Sequence, residues 1–447
     1  MQIKELATLK LEINQWLTSF DSGSAAPDQV AEVLSDYLLT GETILSHLPE
    51  KDKRDPNQQE VADTIHRNSR NARATFMRSH AAWAYDVLTC NRTLRPGLNE
   101  LIDAAAAKFP GLVPTRVQME RESQCTQRNK EAREIDQGIF FSAIFSEPRS
   151  GIHLLESMRM PSARALSLLD RFRQVGSLRL DTILIERVGT TAHLTVHNEA
   201  CLNAEDDQLI ADMEVAVDLV LLVDDIRVGI LRGAPMTHPK YIGKRVFSAG
   251  INLKLLQSGK ISYINFLLQR ETGYISKILR GLYFKNQHLE WDPPTMENAW
   301  IAAVDTFAIG GGAQLLLVFD HVIAASDSYF SLPAAREGII PGVANLRLTQ
   351  AGGSRAARQI ILSGRKLWAK DEDARMVFDE VVDPSEMDAA INAAAARLNS
   401  AAVIANRRML VASDEPLERF RNYMAEFALE QARRLYSLDV LDRIERA

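Results

Sequence analysis

The sequence predicts an α/β core flanked by helix on both sides, and three observations carry that prediction. Residues 1 to about 177 place apolar side chains at helical spacing with almost no β-branched alternation. From Leu178 onward short apolar strands alternate with helices, which is the pattern of layered α/β architecture. From about Ser385 the chain returns to helix. The expected division is a helical N-terminal domain over 1–177, a core over 178–384 and a helical C-terminal segment over 385–447. A chain of 447 residues is too long for one ordinary core, so more than one domain is expected.

In the first part, Leu9, Leu11, Ile13 and Leu17 recur at roughly helical spacing. After a turn at Asp21-Ser22-Gly23-Ser24, so do Val30, Val33, Leu34, Tyr37 and Leu38. Further helices are expected over Val61–Leu88, Leu98–Lys108 and Ser162–Gln174. Leu180–Val188 then reads as a strand, with Ala192–Val196 as its hairpin partner after Gly189. Helix follows over Asp206–Leu222, a strand over Val228–Gly233, and a long helix over Ile261–Tyr283. Asp292-Pro293-Pro294 reads as a turn. Trp300–Val304 and His321–Ala325 read as strands, with a helix over Ala313–Phe319 between them.

Composition narrows the class. A net charge of -6 argues against a nucleic-acid partner, whose usual footprint is a basic surface. No apolar run reaches the roughly 18–20 residues needed to cross a bilayer. Met1–Glu5 lacks the apolar stretch of a secretory signal, so a cytoplasmic location is expected. The three cysteines Cys90, Cys125 and Cys201 are distant and odd in number, which speaks against a disulfide framework. Neither they nor the nine histidines show metal-ligand spacing, and no metal is expected.

Gly310-Gly311-Gly312 stands between an apolar strand and an apolar helix. Glycine permits close backbone approach, and a helix start exposes unpaired N–H groups, so the run suits a developing oxyanion. Read alone, it serves equally well as a tight strand–helix turn. A nucleotide-binding GxGxxG reading fails, because Leu315 stands where its last glycine is required.

A second segment, Phe247-Ser248-Ala249-Gly250-Ile251-Asn252, changes the balance. With Gly310-Gly311-Gly312-Ala313-Gln314 downstream, the chain resembles the crotonase (enoyl-CoA hydratase/isomerase) superfamily. Three further matches occur in order: Leu202-Asn203-Ala204; Leu332-Pro333 with Gly338-Ile339-Ile340-Pro341-Gly342; and Leu362-Ser363-Gly364 with Val381-Val382-Asp383. The resemblance covers about Leu178 to Pro384 and implies a spiral of ββα units that binds an acyl-coenzyme A. It also implies an oxyanion hole formed by the N–H groups of Ile251 and Gly311.

Hydratases of the superfamily handle water with two glutamates. Their positions here fall on Gln314 and Ala334, and neither an amide nor a methyl can act as a general base. Hydration is therefore not expected. Leu253, Ala334 and Ile339 instead suggest an apolar pocket suited to dioxygen. The segment His238-Pro239-Lys240-Tyr241-Ile242-Gly243-Lys244-Arg245-Val246 followed by FSAGINL sharpens the resemblance, together with the long helical N-terminal region. Both point to one branch of the superfamily: cofactor-independent oxygenases of arylacetyl-CoA thioesters, which serve glycopeptide-antibiotic biosynthesis. That branch implies arylacetyl-CoA and O₂ as partners, no cofactor beyond the substrate's coenzyme A, and a homo-oligomer, either trimer or hexamer. The alternatives are an acyl-CoA isomerase or thioester hydrolase of the same fold, or a non-catalytic CoA-binding assembly protein.

By the same resemblance, Glu205 faces the substrate's aryl end and Arg270 lies near Gln314 as a charged donor. Each has a plainer alternative: Glu205 as an ordinary first-turn acid, and Arg270 in an exposed pair with Glu271. Gln314 can donate and accept, and so can orient substrate or peroxide. His238, Lys240, Tyr241, Lys244, Arg245 and Lys254 concentrate positive charge on either side of FSAGIN, suited to the phosphates of coenzyme A, and Pro239, Ala249, Gly250, Asn252 and Leu253 line the same stretch. No residue carries the signature of a strong general base.

Overall fold

The protein's structure is a computed structural model that describes residues 6–19, 26–284, 291 and 294–446. Met1–Glu5, the turn expected at Asp21–Ser24 and the Asp292-Pro293 part of the later turn lie outside the described residues. The chain forms two compact units: residues 1–155 with 257–260 and 420–445, and residues 156–256 with 261–419 and 446–447.

The first unit is helical: α1 (Leu6–Leu17), α2 (Pro27–Leu45), α3 (Pro56–Leu88), α4 (Leu98–Lys108), α5 (Arg116–Glu122) and α6 (Glu134–Ser146). Asp55 starts α3 by accepting from the Gln58 N–H at 2.9 Å, and Pro56 pre-sets the first turn. Val61, Ile65, Phe76 and Leu88 then line the buried face of α3 at helical spacing. The expected helices are all present. Sequence periodicity missed α5, α6 and α7 (Pro148–Met158). In α6, Ile139, Phe140, Phe141, Ile144 and Phe145 are buried on several sides, so no single apolar stripe marks it.

In the second unit, α8 (Ala163–Val175) precedes the sheet strands β1 (Ser177–Arg179), β2 (Ile183–Val188) and β3 (Thr191–Val196). Then come α9 (Asp207–Leu222), β4 (Val228–Gly233) and α10 (Leu253–Gln257), followed by α11 (Gln269–Thr272) and α12 (Tyr274–Arg280). The short pair β5 (Leu282–Tyr283) and β6 (Thr295–Met296) leads to β7 (Ala299–Val304), β8 (Phe307–Ile309) and α13 (Gly311–Leu316). After these stand β9 (His321–Ala325), β10 (Tyr329–Ser331), α14 (Ala334–Glu337), α15 (Ala344–Ser363), β11 (Leu367–Trp368) and β12 (Glu380–Val382). The chain ends in α16 (Met387–Leu398), α17 (Ala401–Asp414), α18 (Leu417–Arg434) and α19 (Leu438–Ile444). The compact units part within α7 and α18, whereas the sequence placed boundaries at 177 and 384. The reason is packing: α8 lies on α9, and α16 lies on the sheet.

The main sheet runs β1-β2-β3-β4-β7-β9-β12, antiparallel through β3 and parallel beyond it. Val228, Ile230, Ala299, Ile301, Ala303 and Ile323 pack on Met387, Ala390 and Ile391 of α16. A Cβ on Gly229 would run into the buried ring of Trp300, so the two strands meet there ring against backbone. A smaller sheet joins β8 parallel to β10, with β11 antiparallel outside.

Two expected elements break. The strand expected over 180–188 turns at Asp181-Thr182, where the Asp212 carboxylate accepts from the Thr182 N–H at 2.8 Å and its hydroxyl at 2.9 Å. The helix expected over 261–283 begins as a π-helix, Tyr263–Leu268, and is interrupted at Gly273, whose Cβ position is taken by the Glu214 carboxylate. Among the described residues, no helix is long and apolar enough to cross a membrane.

Candidate active site

Three segments of the second unit meet at the glycine run. Leu202 and Asn203 adopt left-handed backbone, with φ of 58° and 55°. The Asn203 amide locks that turn by donating to the carbonyls of Val246 at 2.7 Å and Val196 at 3.2 Å. The turn delivers Glu205 beside FSAGIN. The Glu205 N–H donates to the Gly250 carbonyl at 2.7 Å, and its carbonyl accepts from the Asn252 N–H at 2.9 Å. These bonds bracket Ile251. In a trans peptide the N–H opposes the preceding carbonyl, so the Ile251 N–H points away from Glu205. On that other side, Ile309 donates to the Ser248 carbonyl at 3.0 Å, which places β8 and the glycine run next to FSAGIN.

The glycines serve close approach. Gly250 has φ of 84° and Gly310 of 55°, and a Cβ on either would stand 3.3 Å from the other's Cα. The Gly310 carbonyl accepts from the Gln314 N–H at 3.0 Å along α13. The Gly311 N–H therefore points out of the start of that helix. Among the described residues, neither the Ile251 nor the Gly311 N–H has a hydrogen-bond acceptor.

Behind this pair of donors lies a buried charged cluster. Arg270 donates from Nε and Nη2 to both oxygens of Glu205, at 3.0 and 3.2 Å. Its Nη2 also reaches the Gly311 carbonyl at 2.6 Å, and its Nη1 reaches Gln314 Oε1 at 2.8 Å and Glu271 Oε1 at 2.9 Å. Gln314 Nε2 donates to Glu271 Oε1. All four residues are 3% exposed or less. Burial works against the Arg270 cation, but Glu205 and Glu271 outweigh it and the net shift of its pKa is upward. Burial raises the pKa of Tyr274, whose ring lies 6.0 Å from the guanidinium. The exposed Arg270–Glu271 pair considered from sequence is thus corrected: the π-helix and the Gly273 break turn both residues inward.

The structure brings Glu205, Ile251, Arg270, Gly311 and Gln314 together. His238, Pro239, Lys240 and Tyr241 form a short turn in which the His238 ring accepts from the Lys240 N–H at 3.2 Å. Tyr241 and Ala249 pack on the apolar cluster around Phe307. Asn252 caps α10, accepting from the Leu255 N–H at 3.2 Å. Leu253 is half-buried and Lys254 exposed on that helix. Ala334 is buried at the start of α14, and the half-buried Ile339 donates to its carbonyl at 3.1 Å. Glu271, Arg347 and Glu415 were missed as partners of the site, because nothing in their sequence spacing marks them. Among the described residues, no group of three or more His, Cys, Asp or Glu is placed to hold a metal ion.

A pair of backbone donors at a glycine-lined strand–helix junction has the geometry to hold a developing oxyanion. The chain belongs to the enoyl-CoA hydratase/isomerase family, whose model matches residues 186–437. It is 53% identical over 421 residues, 94% of this chain and 96% of the relative, to the (3,5-dihydroxyphenyl)acetyl-CoA 1,2-dioxygenase of Amycolatopsis orientalis. It is 28% identical over 232 residues, 52% of this chain and 76% of the relative, to the short-chain-enoyl-CoA hydratase of Clostridium acetobutylicum. A solved enoyl-CoA hydratase from Mycobacterium avium subsp. paratuberculosis K-10 covers 60% of this chain and 99% of its own, at 18% identity and a TM-score of 0.49.

Proposed function

We propose that the protein is a metal- and flavin-independent dioxygenase of (3,5-dihydroxyphenyl)acetyl-CoA. The observation that carries this reading is 53% identity across 94% of the chain to an enzyme of that name. The site supports it, because the Ile251 and Gly311 N–H groups are free to grip a thioester oxygen as loss of the Cα proton turns it into an enolate. Two such donors contribute several kcal/mol, on the order of 3 each, to stabilising that charge.

The aryl ring and thioester delocalise the carbanion, which passes an electron to O₂ directly. Recombination gives a Cα peroxide, whose terminal oxygen attacks the thioester carbonyl. CoA leaves, the remaining Cα proton is lost as the O–O bond breaks, and one of the two protons released from Cα ends on the CoA thiol. Both oxygen atoms remain in the product, 3,5-dihydroxyphenylglyoxylate, one as ketone and one in the carboxylate. Glu205, held by Arg270, accepts from a ring hydroxyl; Gln314 orients the reacting group; and Leu253, Ala334 and Ile339 form the apolar O₂ pocket. His238, Pro239, Lys240, Tyr241, Ala249, Gly250, Asn252 and Lys254 take the coenzyme. A cytoplasmic trimer or hexamer supplying glycopeptide-antibiotic biosynthesis belongs to the same reading.

The test is an oxygen-electrode assay with (3,5-dihydroxyphenyl)acetyl-CoA after exhaustive chelation. One O₂ consumed per CoA released is expected. CoA release without O₂ uptake would make the protein a thioester hydrolase instead, and uptake that disappears with chelation would overturn metal independence.

A further inference from the structure

Glu271 touches Gln314 from behind, and its surroundings give that contact a definite consequence. The guanidinium of Arg270 only donates, so it holds the oxygen of the Gln314 amide. An ionised carboxylate only accepts, so Glu271 holds the nitrogen. Gly342, with φ of 46°, closes over the pair: a Cβ there would run into both Gln314 Nε2 and Glu271 Oε1. A flipped amide would turn its NH₂ towards the Arg270 donors and its oxygen towards Glu271, so these bonds fix one orientation.

Charge adds a second constraint. Glu271 Oε2 lies 3.7 Å from Arg347 Nη1. Arg347 Nε donates to Glu415 Oε2 at 2.9 Å, and Arg280 Nη2 donates to Glu415 Oε1 at 2.8 Å. The buried chain Glu205–Arg270–Glu271–Arg347–Glu415–Arg280 thus alternates sign, three carboxylates against three guanidiniums, and sums to zero. A carboxylate at position 314 would add an uncompensated negative charge beside Glu271, and two carboxylates that close cannot both stay ionised.

We propose that Glu271 is a positioning residue: it fixes the orientation of the Gln314 amide and restricts position 314 to an uncharged side chain. The inference rests on reading Gln314 as an active-site residue. It concerns which side chain position 314 can carry, and acts on the reaction only through Gln314.

The test is a double-mutant cycle of Gln314→Glu and Glu271→Gln in the full chain, read by thermal midpoint against pH and by O₂ uptake. In Gln314→Glu the groups facing the new carboxyl are Arg270, Glu271 and, one contact further, Glu205, Arg347 and the Tyr274 ring. Its folded-state pKa is raised, so stability is present at low pH and lost as pH rises through that value. A midpoint falling between about pH 5 and 8, where the unmodified protein's is flat, is expected. Adding Glu271→Gln exchanges amide and carboxylate, restores neutrality and should abolish that fall. Glu271→Gln alone should lower kcat about tenfold with KM changed less than about threefold. Additive midpoints with no pH-dependent loss, or an unchanged kcat in Glu271→Gln, would overturn the proposal. The midpoints need no turnover, so an unmodified protein without O₂ uptake counts against oxygenation and not against the pairing.

Discussion

Arg270 Nη2 donates to the Gly311 carbonyl at 2.6 Å while the rest of its guanidinium holds Glu205. One side chain therefore ties the glycine run to the acidic residue that faces it, and the residue that carries a backbone donor is anchored by its own carbonyl.

Arg270→Lys should break this tie. Lysine is a point charge and cannot hold two carboxylate oxygens, a carbonyl and an amide in one plane. It leaves buried acceptors of Glu205 and Gln314 without donors, at about 3 kcal/mol of stability. Urea unfolding measures that loss, and O₂ uptake should fall roughly a hundredfold, since small displacements of the donor pair weaken the grip on the enolate.

Gly311→Ala tests the hole from the other side. The new Cβ would run into the Glu205 carboxylate and force the helix start to move. A fall in kcat of about 10²–10³ is expected, the effect of losing one oxyanion donor. Steady-state kinetics that match the unmodified protein would remove Gly311 from the hole.

Glu131 gives a prediction in the helical unit. Burial raises its pKa, but His66 at 2.9 Å and Arg54 outweigh that and hold the carboxyl at about 2. This lies below the ordinary value of about 4.3, so the stabilisation is present above that value and is lost as pH falls towards 2. Glu131→Gln should cost on the order of 1–3 kcal/mol at neutral pH and flatten the acid limb of the stability curve, read as urea midpoint against pH.

The backbone of the two segments was legible in the sequence, because glycine permits the dihedrals and the close approach that Gly250 and Gly310 show. The β2–β3 hairpin, β4 and β7 followed from apolar runs bounded by glycine and polar residues. What depends on long-range pairing was not legible. The inward turn of Glu271 arises from a π-helix and from Glu214 against Gly273, neither of which leaves a periodic trace. The split of the strand expected over 180–188 depends on Asp212, a residue on another element. The helix α6 hid because burial on several sides erases amphipathic spacing.

The close approach of the Gly250 and Gly310 main chain, where a Cβ on either would stand 3.3 Å from the other's Cα, carries one more consequence. The two donors follow directly on these glycines, so main chain and not a rotamer sets the near side of the gap between them. A library that varied the lining side chains but kept Glu205, Arg270 and Gly311 would change which acyl groups arrive and what becomes of the enolate. The aperture proposed for the thioester oxygen would stay constant, and the same scaffold could be redirected to other acyl chemistries without rebuilding it.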